Sequence, residues 1–387
     1  MTEIPIGYIF PVLLLAWCTW WAVMPLRTPR LFGSLSFYFG LVINELPFLA
    51  LLWLIAINIL ALSEGDIHSS IGWAAFGIAI LTVVGLVVIV QRSFQAIPAI
   101  SQALDDCLGL DWRDTIHGKL VPRLRPGFQL AALLGPFFIR RWDVERVADI
   151  SYGDAGVRNL LDVYRHRSRP ANAPVLIHFH GGAMVRGKKN REALPLLYRL
   201  ASQGWVCISA NYRLSPAATF PAQLIDAKKV IAWVRAHGKG YGADTSTVFV
   251  AGGSAGAQLA SQAALTPNDP KLQPGFESAD TSVAAVIALY GYFGWMGGEF
   301  LQQITDSRKE IPPFFILHGE QDTLLPVEGA RHFVQKLRSI SRNPVVYAEL
   351  PGAQHNFDLF HSVRNEAVVD GIETFAAWVR AKYGTQA

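Results

Sequence analysis

Lysine is absent from the first ninety residues of this 387-residue chain, which hold only two arginines, Arg27 and Arg30, and four acids, Glu3, Glu45, Glu64 and Asp66. Almost everything between them is apolar, so that stretch does not read as an ordinary water-soluble domain. Cysteine is nearly missing as well. Cys18, Cys107 and Cys207 follow no spacing pattern, which excludes a disulfide framework and a cysteine-based metal site. No basic patch interleaved with aromatics accompanies the small net charge of +4, so nucleic acid is not an expected partner. No positive charge precedes the first apolar stretch, whose first basic neighbour is Arg27, and a cleaved signal peptide is therefore not expected. There is no internal repeat or low-complexity tract. By length alone the chain suggests two or three structural units.

What the first ninety residues do contain is three stretches long enough to cross a bilayer, which takes about 20 apolar residues. They are Ile4–Met24, Leu46–Leu62 and Ile71–Val90, with Leu31–Ile43 as an interfacial or tilted lead-in to the second. Glu45 is then expected at a headgroup boundary, on the side of Arg27 and Arg30, with an intramembrane ionisable site as the other reading. Arginines follow the first and third spans, and Ser63–Ser70 between the second and third is acidic. The positive-inside rule gives an outside N-terminus and a multi-pass protein of the cell membrane with the chain beyond the third span in the cytoplasm.

The membrane region is taken as residues 1–91, and residues 92–142 as an amphipathic linker and candidate cap. Ile97, Ile100, Leu104 and Leu108 recur at helical spacing and predict a short amphipathic helix. Phe128–Ile139 is very apolar, too short to span, and followed by Arg140 and Arg141. A lid or membrane-surface segment and a helix packed on the core both fit it.

Residues 143–387 alternate between short apolar strands and helices. Predicted strands are Arg146–Tyr152, Leu160–Arg165, Val175–Phe179, Trp205–Ala210, Val248–Ala251, Val283–Leu289, Phe314–Leu317 and Val345–Leu350, with a last helix over Glu366–Lys382. This is the pattern of an α/β domain with a mostly parallel eight-stranded sheet and helices on both faces. In such a sheet chemistry gathers beyond the carboxyl ends of the strands.

Three polar residues follow those ends in a telling order. Gly252-Gly253-Ser254-Ala255-Gly256 is a G-x-S-x-G turn between a strand and a helix, which exposes a serine hydroxyl at the top of the sheet. Asp322 follows Phe314–Leu317, and His355 follows Val345–Leu350. A serine needs a base to take its proton, and a carboxylate to hold that base in one tautomer. Glu320 and Asp306 are alternative acids, and His361 and His332 alternative bases. The strand Val175–Phe179 runs into His180-Gly181-Gly182-Ala183. Backbone amides of Gly181, Gly182 and Ala183, together with Ala255, are the candidate donors to an oxyanion, with Gly182 and Ala183 the leading pair. His180 is expected to brace the loop and not to act as a base. No cofactor and no metal are implied.

Residues 144–385 resemble the hormone-sensitive-lipase-like branch of the α/β-hydrolases, which includes bacterial carboxylesterases and arylacetamide deacetylase. The matching text is His180-Gly181-Gly182-Ala183, Asn211-Tyr212-Arg213-Leu214-Ser215-Pro216, Phe220-Pro221-Ala222, the Ser254 turn, His318-Gly319-Glu320-Gln321-Asp322 and Gly352-Ala353-Gln354-His355. The resemblance implies the α/β-hydrolase fold, here preceded by about three transmembrane helices, and ester hydrolysis through an acyl-enzyme. It implies a Ser254, Asp322 and His355 triad, with structural roles for Tyr212, Arg213 and Asp226. Two departures stand out. Ala183 replaces the family's third glycine, and only Tyr290–Pro313 is available for the family's long cap insertion. The expected partners are a small-molecule or lipid ester and membrane lipids, with the oligomeric state open. An amidase, deacetylase or peptidase would use the same triad, and a non-catalytic membrane adaptor would not need it.

Overall fold

The computed structural model describes residues 4–116, 135–293 and 310–383. Four helices come first: α1 (Ile6–Val23), α2 (Arg30–Glu45), α3 (Pro47–Glu64) and α4 (Ser70–Leu108). Their ends follow local chemistry. Pro47 opens α3, where its missing N–H costs nothing, and Gly65 closes it in the left-handed conformation (φ 83°). The Ser69 hydroxyl accepts the Gly72 N–H at 3.0 Å and caps α4. Three of the four, α1, α3 and α4, are long and apolar enough to cross a membrane. They pack through Tyr8, Val12, Leu54, Ala75, Ala79 and Leu86, while Trp17, Trp20, Trp53 and Leu81 point outward and are exposed.

The α4 helix departs from expectation. The apolar stretch Ile71–Val90 and the amphipathic pattern after it form one unbroken helix of 39 residues, so the division at residue 91 falls inside a helix. What changes there is the surface covered. Up to Ile89 the buried side chains of α4 face the other N-terminal helices; from Ala96 on, Ala96, Ile100 and Leu104 belong to the core of the catalytic domain, whereas Ile97 is exposed. Of Phe128–Ile139, residues 128–134 lie outside the described residues. Ile139 packs against that same core, and Phe137 and Phe138 are exposed.

The catalytic domain is one eight-stranded sheet: β1 (Val144–Ser151), β2 (Leu160–His166), β3 (Ala173–Phe179), β4 (Val206–Ala210), β5 (Ala243–Gly253), β6 (Ala285–Leu289), β7 (Phe314–Gly319) and β8 (Val345–Leu350). The order across it is β1-β2-β4-β3-β5-β6-β7-β8, with β2 antiparallel to both neighbours and the remaining pairs parallel. Helices α6 (Ala222–His237), α7 (Ala255–Leu265) and α8 (Val327–Ile340) bury their apolar sides on one face, and α5 (Leu194–Ser202), α9 (Val363–Tyr383) and the end of α4 on the other. The strands from β3 to β7 are buried almost throughout, which is why they read as continuous apolar runs. All eight predicted strands are present, in an architecture of the α/β-hydrolase type.

Glu45, expected at a headgroup boundary on the side of Arg27 and Arg30, has a partner that the sequence did not announce. Its carboxylate is buried against the catalytic domain, paired with the equally buried Arg364 of α9 and accepting the Ser362 hydroxyl at 2.7 Å. Its charge is neutralised by a residue more than three hundred positions away, a pairing that no short sequence window marks.

Candidate active site

Strand β5 ends at Gly253 and α7 begins at Ala255, so Ser254 alone makes the turn, at φ 54° and ψ −118°. A non-glycine residue held there costs of order 1–3 kcal/mol, and the surroundings must enforce it. They do so by close approach. A Cβ on Gly256 would lie 2.0 Å from the Phe179 carbonyl oxygen, and one on Gly252 2.3 Å from the Gly256 carbonyl. The Ser254 N–H donates to the Leu289 carbonyl at 3.0 Å, and its own carbonyl accepts the Tyr292 N–H at 3.2 Å. The Ser254 backbone is thereby held by β6 and the residues just after it, while Gly256 packs against the end of β3, and the Ser254 side chain is left half-buried at the sheet's upper edge.

Asp322 and His355 come from the loops after β7 and β8. His355 Nδ1 lies 2.7 Å from Asp322 Oδ2, with both residues buried. The other carboxylate oxygen accepts the N–H groups of Leu324 and Leu325 at 2.9 and 2.8 Å. His318, at the end of β7, adds its Nε2 at 3.4 Å from Oδ2. Burial by itself would raise the Asp322 carboxyl, but the charge of His355 and the hydrogen bonds from His318 and His355 outweigh it and hold the group well below the usual carboxylate range. The imidazole therefore presents Nε2 as its free nitrogen. Among the described residues no hydrogen bond joins Ser254 Oγ to His355; Tyr290 lies between their loops. Its ring sits 4.7 Å from that of His355, and its hydroxyl is 2.5 Å from where a Cβ on Gly253 would be. Catalytic contacts of this kind often close only when substrate binds.

The oxyanion loop requires one correction. The Gly181 N–H donates to Glu192 Oε2 at 2.6 Å, so it is committed and drops out as an oxyanion donor. Gly182 (φ 102°) and Ala183 (φ 55°) follow in left-handed conformations, and among the described residues no acceptor takes their amides. Ala255 opens α7, so its N–H has no partner within the helix. These three remain as candidate donors. His180 stacks on Tyr212 at 4.3 Å, and the Tyr212 hydroxyl donates to the His180 carbonyl at 2.8 Å. Burial lowers His180 to about 4, so it is neutral near pH 7 and unsuited to the role of a charged partner. Arg213 and Asp226 form a 2.8 Å ion pair below the loop.

The alternatives are occupied elsewhere. Glu320 accepts the Gly352 N–H at 3.0 Å, His361 pairs with Glu366 at 2.7 Å, and His332 is exposed on α8. Asp306 lies outside the described residues. Residues that sequence reasoning missed are Glu192, Tyr290 and the supporting role of His318. Glu192 is half-buried, and the loss of water around it pushes its carboxyl up to about 7. In the sequence it closes a charged run with Lys188, Lys189 and Arg191 and looks like part of a solvated surface.

Known proteins place this arrangement. A family model described as BD-FAE matches residues 161–297. The probable carboxylic ester hydrolase LipM of Mycobacterium tuberculosis is 38% identical over 388 residues, covering 92% of this chain and 88% of LipM. Esterase LipQ of the same organism is 39% identical over 319 residues, covering 74% of each chain. Among solved structures, a truncated carbohydrate esterase from gut microbiota superposes with a TM-score of 0.52 at 18% identity, covering 62% of this chain and 99% of that one. Esterase B of Lactobacillus rhamnosis gives 0.51 at 20% identity over 63% of this chain and 89% of its own. The structural likenesses carry the fold, the sequence likenesses carry the activity, and together they make this chain a carboxylic ester hydrolase of the hormone-sensitive-lipase-like branch of the α/β-hydrolases.

Proposed function

We propose that the protein is a membrane-anchored serine esterase or lipase that cleaves its substrate through an acyl-enzyme on Ser254. The observation that carries this reading is the buried 2.7 Å pair of His355 and Asp322, set at the ends of the strands that follow the strained Ser254 turn. Ser254 Oγ bonds to the ester carbonyl carbon while its proton passes to His355 Nε2. The carbonyl oxygen becomes an oxyanion facing the amides of Gly182, Ala183 and Ala255. The bond to the alcohol oxygen breaks, and that oxygen takes the proton from His355. Water then repeats the sequence and releases the acid. Asp322 stays ionised, fixes the imidazole and offsets its positive charge. Each well-aimed oxyanion donor contributes about 3–4 kcal/mol to such a transition state.

Anchoring rests on α1, α3 and the first half of α4, whose outward surfaces carry exposed tryptophans and leucines where a soluble protein has charge. The N-terminus is assigned outside and the catalytic domain to the cytoplasm. Arg27, in the loop after α1, bonds the Glu320 carbonyl and pairs with Glu328 at 3.2 Å. That contact favours one side of the membrane for this basic loop and the catalytic domain, as the charge bias requires.

The test is Ser254→Ala in the full-length protein. Hydrolysis of p-nitrophenyl butyrate should disappear while the circular dichroism spectrum is kept, and activity surviving in the variant would refute the nucleophile. A series of acyl esters beside matched amides separates an esterase from an amidase with the same residues. Protease protection in sealed vesicles tests the orientation.

A further inference from the structure

The helix between the first two apolar spans lies on the catalytic loops. Thr323, next to Asp322, donates its hydroxyl to the Gly33 carbonyl of α2 at 2.7 Å. Packing there is tight, since a Cβ on Gly33 would lie 3.0 Å from the Thr323 carbonyl oxygen. One helical turn further on, Phe37 places its ring 6.2 Å from that of His355, at 71°. Further along α2, Asn44 donates to the carbonyl of Gly352 at 2.9 Å, at the start of the loop that carries His355. The buried Glu45–Arg364 pair closes the end of the helix. Both catalytic loops are thus held from above by one helix.

That helix has two sides. Gly33, Ser36, Gly40 and Asn44 are buried, whereas Leu31, Tyr38 and Val42, along the opposite side, are 67%, 63% and 48% exposed. The helix packs on α1, which is long and apolar enough to span a bilayer, so its open apolar side lies beside that helix. Phe37 is half-buried between the two sides.

Reaction chemistry decides which half of a substrate meets Phe37. Since Nδ1 of His355 is bound to Asp322, Nε2 must deliver the proton to the departing alcohol oxygen, so the alcohol half lies beside His355 when the ester bond breaks. Resting on the esterase reading above, we infer that Phe37 of α2 is a specificity-determining residue for the leaving alcohol: it forms one wall of an apolar subsite that takes esters of long-chain alcohols, entered along the exposed side of α2. The acyl half extends the other way, past the oxyanion loop, and does not meet this helix.

The experiment uses the full-length protein in phosphatidylcholine vesicles and two substrate pairs. Butyl and hexadecyl butanoate differ only in the alcohol; p-nitrophenyl butanoate and p-nitrophenyl palmitate differ only in the acyl chain. Phe37→Ala should lower the hexadecyl-to-butyl ratio of kcat/KM by tenfold or more and leave the palmitate-to-butanoate ratio within twofold. Phe37→Leu, which keeps apolar bulk, should show a smaller drop in the same direction. Two ratios that move together, or an alcohol ratio that does not move, would overturn the assignment of Phe37. So would the loss of Ser254 labelling by a fluorophosphonate in both variants, since Phe37 would then serve folding alone. Butyl butanoate hydrolysis that survives Ser254→Ala would instead overturn the esterase site on which the inference rests.

Discussion

Glu45, the last residue of α2, is ion-paired with Arg364 in the first turn of α9, and neither side chain reaches solvent. The pair ties the N-terminal helices to the catalytic domain at a point where both carry hydrogen bonds to the loop before His355. Asn44 reaches the Gly352 carbonyl, and Arg364 that of Pro351.

Removing one member of that pair leaves the other charged and buried. Glu45→Ala should therefore destabilise the protein by roughly 3–5 kcal/mol, visible as a fall in thermal midpoint in detergent. Replacing both, as Glu45→Leu with Arg364→Met, should cost much less, because no lone charge remains. A double variant as unstable as the single would mean that the loss comes from packing.

Asp322→Asn keeps an oxygen for the amides of Leu324 and Leu325 but turns an N–H donor toward His355. The wrong tautomer should result, with kcat/KM reduced by roughly 10³- to 10⁴-fold and an unchanged fold. Glu320→Gln, which alters only an acceptor for Gly352, should stay within a few-fold of the parent. Steady-state hydrolysis of p-nitrophenyl butyrate distinguishes the two.

Glu192 makes stability depend on pH near neutrality. Its folded value of about 7 lies above the ordinary carboxylate value, so the stability it contributes is fully present below that ordinary value and lost as pH rises through about 7. Glu192→Gln removes this dependence and still offers an oxygen to Gly181. Its thermal midpoint relative to the parent should rise between pH 6 and pH 8.5. Glu192→Ala, which frees the Gly181 amide, should lower kcat by tenfold or more at every pH.

Gly256→Ala would force a Cβ to within 2.0 Å of the Phe179 carbonyl oxygen and should prevent accumulation of folded protein. Gly240→Ala meets nothing within 4 Å and should be neutral. Comparing expression and fluorophosphonate labelling of the two checks whether the elbow depends on close backbone approach.

The sheet was legible because each strand announces itself over a few residues, and Ser254, Asp322 and His355 because each follows a strand end. Their partners were not legible in the same way. Phe37 meets His355, and Glu45 meets Arg364, across more than three hundred residues of chain, and no local pattern marks either contact. Glu192 looked solvated because it sits among lysines and an arginine, whereas its own carboxylate turns inward to Gly181. The break expected at residue 91 followed a change in composition at Arg92. Helix α4 ignores that change because its hydrogen bonds run within the backbone, and only the surface it covers differs.

The continuous α4, which carries Pro98 within it, couples the two halves of the molecule without an intervening loop. Its 39 residues make a rod of about 58 Å, seated in the N-terminal bundle at one end and in the catalytic core at the other. A loop would absorb an inserted residue. In a helix one insertion between Ile89 and Ala96 turns everything beyond it by about 100° and swings Ile100 and Leu104 out of their seats. The bundle and the sheet are therefore held in a fixed rotational phase, and the spacing between their contact residues on this helix is as constrained as the residues themselves.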